Sequence, residues 1–235
     1  SITHSFVTGL AAAGMTLAGS GAVAWDVFPT TLSAVVTAPV LGFIGGFAVM
    51  VCLLWIFRKN APAKMRVLFS RLQWLSTAFL AYSHGKNDGQ MPIGVITMAL
   101  VVYTGQAGWW DRLSLWDPAG RWIIIVSALA ISLGTAIGGW RVIRTLGFRV
   151  TALQPIHGFA ADFSAAMVIE AASLLGIPVS TTHCVSSSIM GIGATRRLSA
   201  VRWGVARSMV AAWILTFPIC GVLGWFFAWV IGIVI

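Results

Sequence analysis

The sequence predicts an all-α polytopic membrane protein with inverted repeats, re-entrant hairpins and interrupted helices. Three observations carry that prediction. Of the 235 residues 58% are hydrophobic and 9% charged, with a mean hydropathy of +0.91, which argues against a soluble core. Two polar stretches, Ser83 to Gln90 and Gly176 to Ser188, interrupt apolar sequence at membrane depth. An echo of the second stretch opens the chain as SITHS.

The elements follow in order. Ile2 to Leu17 is apolar and rich in small residues, and Ala18 to Thr31 carries Asp26 with no Lys or Arg. Leu32 to Phe57 is a long apolar span. Arg58, Lys59, Lys64, Arg66 and Arg71 then form a basic loop without an acid, cytoplasmic by the cation bias, which puts Ala18 to Thr31 outside. Leu72 to Tyr103 is a second membrane element, interrupted by SHGKNDGQ. Tyr103 to Arg121 reads as an external loop with Trp109, Trp110 and Trp116 as interface anchors, and Trp122 to Trp140 crosses back to Arg141, Arg144 and Arg149. Gly158 to Ala194 starts after that inner loop and ends at Arg196, Arg197, Arg202 and Arg207, so both of its ends lie on one face. A re-entrant hairpin fits this best, two short full spans being the alternative. Ser208 to Ile235 runs outward and can tilt or kink at Pro218. The +9 net charge thus reports topology before any acidic partner, and no nucleic-acid partner is expected. Cys52, Cys184 and Cys220 lack metal-ligand spacing and read as buried free thiols, so no resident cofactor is expected. The chain opens without Met, inside a motif, and this predicts a portion of a longer polypeptide.

Within GIPVSTTHCVSSS, Pro178 lacks an N–H and disfavours helix at Ile177, so it makes the stop. Ser180, Thr181, Thr182 and His183 can cap a new helix and offer donors at its positive end, an arrangement suited to an anion. A Pro-kinked helix whose hydroxyls bond its own backbone is the plainer reading. In SHGKNDGQ an intramembrane carboxylate, Asp88, needs a partner or water. Asp88 with the side-chain carbonyls of Asn87 and Gln90 offers hard oxygen ligands for a small cation, and Gly85 and Gly89 allow the backbone to unwind. Lys86 either neutralises Asp88 or meets an anion directly.

Placing Ser1 over Ser180 aligns Thr3 with Thr182, His4 with His183 and Gly14 with Gly193. The first copy leads to a cation-free stretch and the second to a cationic one, so the copies face opposite sides. Inverted repeats around a midplane site are the signature of an alternating-access transporter. On this reading 1–57 is the remainder of the first repeat, 58–71 the cytoplasmic basic loop, and 72–235 the second repeat. The second repeat contains the Asn-Asp element 72–103, the span 122–140, the re-entrant hairpin 158–194 and the C-terminal helix 208–235.

HGKNDGQ and GIPVSTTHCVSSSIMGIG resemble the two signature regions in the second half of the inorganic phosphate transporter family, bacterial members in particular. SITHSFVTGLAAAG resembles the tail of the matching region of the first half. The resemblance implies an inverted-repeat transporter fold in the cell inner (plasma) membrane, moving phosphate as a symporter with Na+ or H+, or as a neutral complex with a divalent metal. It implies a coupling-cation and substrate role for Asn87 and Asp88, phosphate contact by Ser180, Thr181 and Thr182, and a matching first tip at Ser1 and Thr3. Lys86 departs from the small residue common at its position. The family's first Asn-Asp motif belongs upstream of Ser1, so the implied partners are phosphate, the bilayer and an upstream segment of the same transporter, with a homo-oligomer allowed.

Among the remaining candidates, Asp162 and Glu170 lie eight apart on one helical face and serve proton movement or packing. His183 donates to substrate or fixes the turn, with His4 as its mirror; His84 reads as a structural donor, and His157 as solvated in an inner loop. A sulfate-type oxyanion uses the same donors as phosphate, and a non-transporting receptor or assembly subunit remains the other class. No nucleophile, base and orienter occur together, so an enzyme is not expected.

Overall fold

Apolar chain in lipid must satisfy its own backbone hydrogen bonds, and here it does so with helices. The structure is a computed structural model describing residues 2–26, 28–145, 150–151 and 153–234, and among these every regular element is helical. The α-helices are α1 (Ile2–Ala18), α2 (Phe28–Ile56), α3 (Pro62–Thr104), α4 (Arg121–Arg144), α5 (Pro155–Leu174), α6 (Thr181–Arg196) and α7 (Trp203–Val234). Three segments among the described residues, Phe28–Ile56, Arg121–Trp140 and Trp203–Val234, are long and apolar enough to cross a membrane.

Side-chain pairs fix the helix directions. Phe69 meets Phe159, Thr77 meets Asp162 and Lys86 meets Glu170, so α3 and α5 run parallel. By the same reasoning α2 runs parallel to α6 and α1 to α7, through Gly42 and Gly46 on Cys184 and Ser188, and through Thr8 and Leu17 on Gly221 and Gly232. The clusters at 58–71 and 196–207 then fall at one end of the assembly: α3, α5 and α7 start there, and α2 and α6 finish there. Asn87 of α3 reaches Val179, beside the tip where α5 turns into α6. Beyond Asn87, α3 continues to Thr104, about 25 Å at helical rise, so the hairpin turns back part-way along α3.

The two hairpin-derived helices pack reciprocally. A constant offset of 179 residues, which relates His4 to His183, also relates Thr37-Ala38-Pro39 with Gly42 to Thr216-Phe217-Pro218 with Gly221. Thr37 donates to Ser33 O at 3.0 Å and Thr216 to Ala212 O at 2.8 Å, the same local bond at equivalent positions. Thus α1 and α2 correspond to α6 and α7, and α1 packs on α7 while α6 packs on α2. The equivalent His4 and His183 meet, with ring centroids 4.9 Å apart. Equivalent residues touch only near a two-fold axis, so the pseudo-axis passes between these rings. Small residues allow the close backbones: a Cβ on Gly46 would lie 2.7 Å from Ser188 Oγ, and one on Gly42 would lie 2.7 Å from Cys184 O.

Several local expectations are corrected. Residues 62–71, expected in the basic loop, form the first turns of α3. SHGKNDGQ does not unwind: α3 passes through it as continuous helix, and Pro92 is carried inside the same helix. The stop before the hairpin tip is made by Gly176, ahead of Pro178. With φ +68°, Gly176 takes the left-handed conformation, its N–H bonds Ser173 O at 3.2 Å, and Ile177 N–H bonds Ala172 O at 2.9 Å. These are the two bonds of a Schellman C-cap, and glycine adopts that φ without a Cβ penalty. Of the three thiols Cys184 is buried, whereas Cys52 is exposed and Cys220 intermediate. His157 is buried rather than solvated, its Nδ1 accepting the Gln154 N–H at 2.9 Å in a cap of α5.

Candidate functional site

The site forms where the middle of α3 meets the hairpin tip. Ser180 is the N-cap of α6, its Oγ accepting the His183 N–H at 3.3 Å. The cap leaves Thr181 and Thr182 as the first helical residues, whose N–H groups have no partner within the helix. Asn87 donates from Nδ2 both to Asp88 Oδ1 at 2.8 Å and to Val179 O at 2.9 Å. Asp88 Oδ2 receives Nε2 of His84 at 2.9 Å and Oγ1 of Thr181 at 3.4 Å. Thr3 of α1 also donates to Val179 O, at 3.3 Å. One carbonyl therefore collects donors from the first-repeat arm and from α3, pinning the tip between them. Thr3, Asn87, Asp88, Ser180 and Thr181 are all buried.

This donor census constrains the chemistry. An amide nitrogen has two hydrogens, and both of Asn87's are spent, so Asn87 has its carbonyl oxygen left to offer. Thr181, with its proton directed at Asp88, likewise presents lone pairs. The carboxylate, an amide carbonyl and a hydroxyl oxygen are hard ligands for a small cation rather than donors for an anion. Ser180 Oγ and the first N–H groups of α6 are the donors beside them. Gln90 and Thr182 are exposed, and the structure does not bring Gln90 to Asp88. Ser1 lies outside the described residues, as does Arg149.

Lys86 does not neutralise Asp88. Residues two apart on a helix point to different sides, and Lys86 Nζ instead donates to Glu170 Oε1 at 2.6 Å. Asp162 accepts from Thr77 Oγ1 at 2.7 Å. Asp162 and Glu170 thus both join the rising arm α5 to α3, flanked by the ring contacts of Phe79 and Phe159 on Phe163. His183 is buried with its ring 4.0 Å from that of Trp213, while His4 stacks on Phe217 at 5.1 Å, so both imidazoles lean on α7. Among the described residues no three His, Cys, Asp or Glu side chains converge on a common metal position. A separate apolar cavity of about 470 Å³ lies between α2 and α5 and reaches Val179 without touching Asp88.

A model of the phosphate transporter family matches residues 1–224. The chain belongs to that family. Curated members similar to it include probable low-affinity inorganic phosphate transporters of Rhizobium meliloti, 37% identical over 93% of this chain and 63% of the relative, and of Bacillus subtilis, 35% identical over 95% and 65%. A third, from Mycobacterium leprae, is 33% identical over 100% of this chain and 55% of its own length. The chain therefore spans just under two thirds of the first two relatives. A solved structure titled as the sodium-dependent phosphate transporter superposes with a TM-score of 0.83 at 25% identity, covering 99% of this chain and 74% of that one. The family is one of membrane transporters, not enzymes.

The hydroxyl-capped tip and the Asn87–Asp88 pair thus meet here, while four further residues had weaker sequence signals. Val179 acts through its backbone carbonyl and leaves no side-chain signature. Trp213 and Phe217 were legible only through the 179-residue offset, which places Ala34 and Ala38 at their equivalent positions. His84 was legible by spacing, since it lies one turn before Asp88.

Proposed function

We propose that this chain takes part in secondary active transport of inorganic phosphate across the plasma membrane, coupled to a small cation bound at Asn87 and Asp88. The observation that carries the reading is the contact of the hydroxyl-capped start of α6 with the buried carboxylate of α3, through Thr181 and Asp88. Phosphate near neutral pH carries one to two charges, and a co-transported cation offsets them at a depth where a bare anion is costly. In this assignment Asp88, the Asn87 carbonyl and Thr181 Oγ hold the cation. Ser180, Thr182 and the first N–H groups of α6 face phosphate, helped by the positive helix end. Thr3 positions the tip through Val179 rather than meeting substrate, and Asp162, Glu170 and Lys86 hold the hairpin arm against α3.

Sodium is the first candidate, supported by the description of the similar solved structure; protons, or a divalent metal carried with phosphate, are the other arms of the test. Purified intact protein in vesicles is given labelled phosphate with sodium and pH gradients imposed separately, and with a divalent metal present or chelated. One gradient is expected to accelerate uptake, and excess sulfate is expected to compete weakly. Indifference to both gradients would remove the cation role from Asn87 and Asp88.

A further inference from the structure

We propose that His84 is a positioning residue that keeps Asp88 hydrogen-bonded while the unloaded carrier reorients. The inference rests on the cation role of Asp88 proposed above. A buried carboxylate that has released its cation must still be solvated, because an unsatisfied charge at membrane depth is costly. Asp88 has three donors: Nδ2 of Asn87, Nε2 of His84 and Oγ1 of Thr181. They differ in what they are attached to. Thr181 sits on the hairpin, so its bond depends on the tip's place against α3; Asn87 lies on α3 beside Asp88 but divides its amide between that carboxylate and the hairpin's Val179, so its orientation is set in part by the tip. His84 and Asp88 are one turn apart on the same helix, and α3 is unbroken through both. Their 2.9 Å bond therefore moves with the carboxylate whatever the hairpin does.

The pair has no evident part in holding the fold together, since it joins no two elements. Neighbouring charged groups do not compete for it: Lys86 is taken by Glu170 and Asp162 by Thr77. A neutral imidazole donating from Nε2 is sufficient, so no change of protonation is involved.

The experiment separates two transport modes in vesicles loaded with the intact protein. Exchange of labelled for unlabelled phosphate, with cation saturating on both sides, needs only the loaded carrier to reorient. Net uptake into phosphate-free vesicles also needs the unloaded carrier to return. His84→Ala is expected to slow net uptake about tenfold, the typical consequence of losing a hydrogen bond to a charged group, and to leave exchange within about twofold. His84→Gln, whose amide N–H can reach toward the same oxygen, is expected to recover most of the net rate. Equal loss in both modes, or no loss in either, overturns the proposal. Wild-type uptake that ignores every imposed cation would instead overturn the reading of Asp88 on which it rests.

Discussion

Gly46→Ala is predicted to destabilise the protein by wedging α2 away from α6. A Cβ at Gly46 would sit 2.9 Å from Ser188 Cα and 2.7 Å from Ser188 Oγ, with Ser188 O closer still. Ordinary carbon contacts begin about 1 Å further out, so the two backbones must separate by roughly that distance. Ser188 cannot swing aside cheaply, because its hydroxyl is engaged with Ser164 Oγ and with Ala161 O. Overpacking of this kind costs about 1–3 kcal/mol, and a lost buried hydrogen bond adds about 1 kcal/mol. A net cost of about 3 kcal/mol corresponds to about 6–12 °C in Tm for a chain of this size. The assay is a thermal melt of detergent-purified protein, with Gly134→Ala as the control, since a Cβ there meets nothing within 4 Å. Because α6 carries Thr181, the displacement is also expected to weaken the contact with Asp88 and raise the cation concentration needed for half-maximal uptake. A Gly46→Ala protein melting with the control would refute the close-contact argument.

Other outcomes follow from the same geometry. Gly176→Ala places a Cβ at φ +68° and is expected to cost about 1 kcal/mol by thermal melt. Lys86→Met strands a half-buried Glu170, so it is expected to melt below the Lys86→Met/Glu170→Met double variant; the reverse order would mean that the pair is not what that contact needs. Thr181→Val is expected to raise the half-saturating cation concentration about tenfold with little change in phosphate KM, whereas Thr182→Val should act on phosphate KM, both read from vesicle uptake. Asp88→Asn is expected to abolish the response to the coupling gradient while the protein still reaches the membrane.

Most of the architecture could be read from the chain because apolar run length and cation placement are one-dimensional signals. Both ends of the hairpin are marked by arginines, and its turn by Gly176 and Pro178, so its position was legible although the stopping residue was not. Propensity argues that Gly85 and Gly89 break a helix, yet α3 is continuous, packed along its first half against α5 by Phe69, Thr77 and Lys86. Tertiary packing outweighed the glycine cost of about 1 kcal/mol each. At the site, Asp88, Asn87 and Thr181 were identifiable because a carboxylate and clustered hydroxyls are conspicuous in apolar sequence. Which neighbour Asp88 would face was not, since Lys86 lies two residues away and His84 four, and only helical phase decides between them.

On the transport proposed above, the ring pair His4 and His183 has a consequence for the balance between two orientations of the molecule. In a perfectly duplicated molecule, exchanging the shapes of the two halves would cost nothing, and inward and outward openings would be equally populated. Here α7 contributes Trp213 and Phe217 under the two imidazoles, where α2 has Ala34 and Ala38. These two mismatches lie against the rings at the pseudo-axis, where the molecule can tell its left hand from its right, and trimming them toward alanine should shift the preference for one side of the membrane.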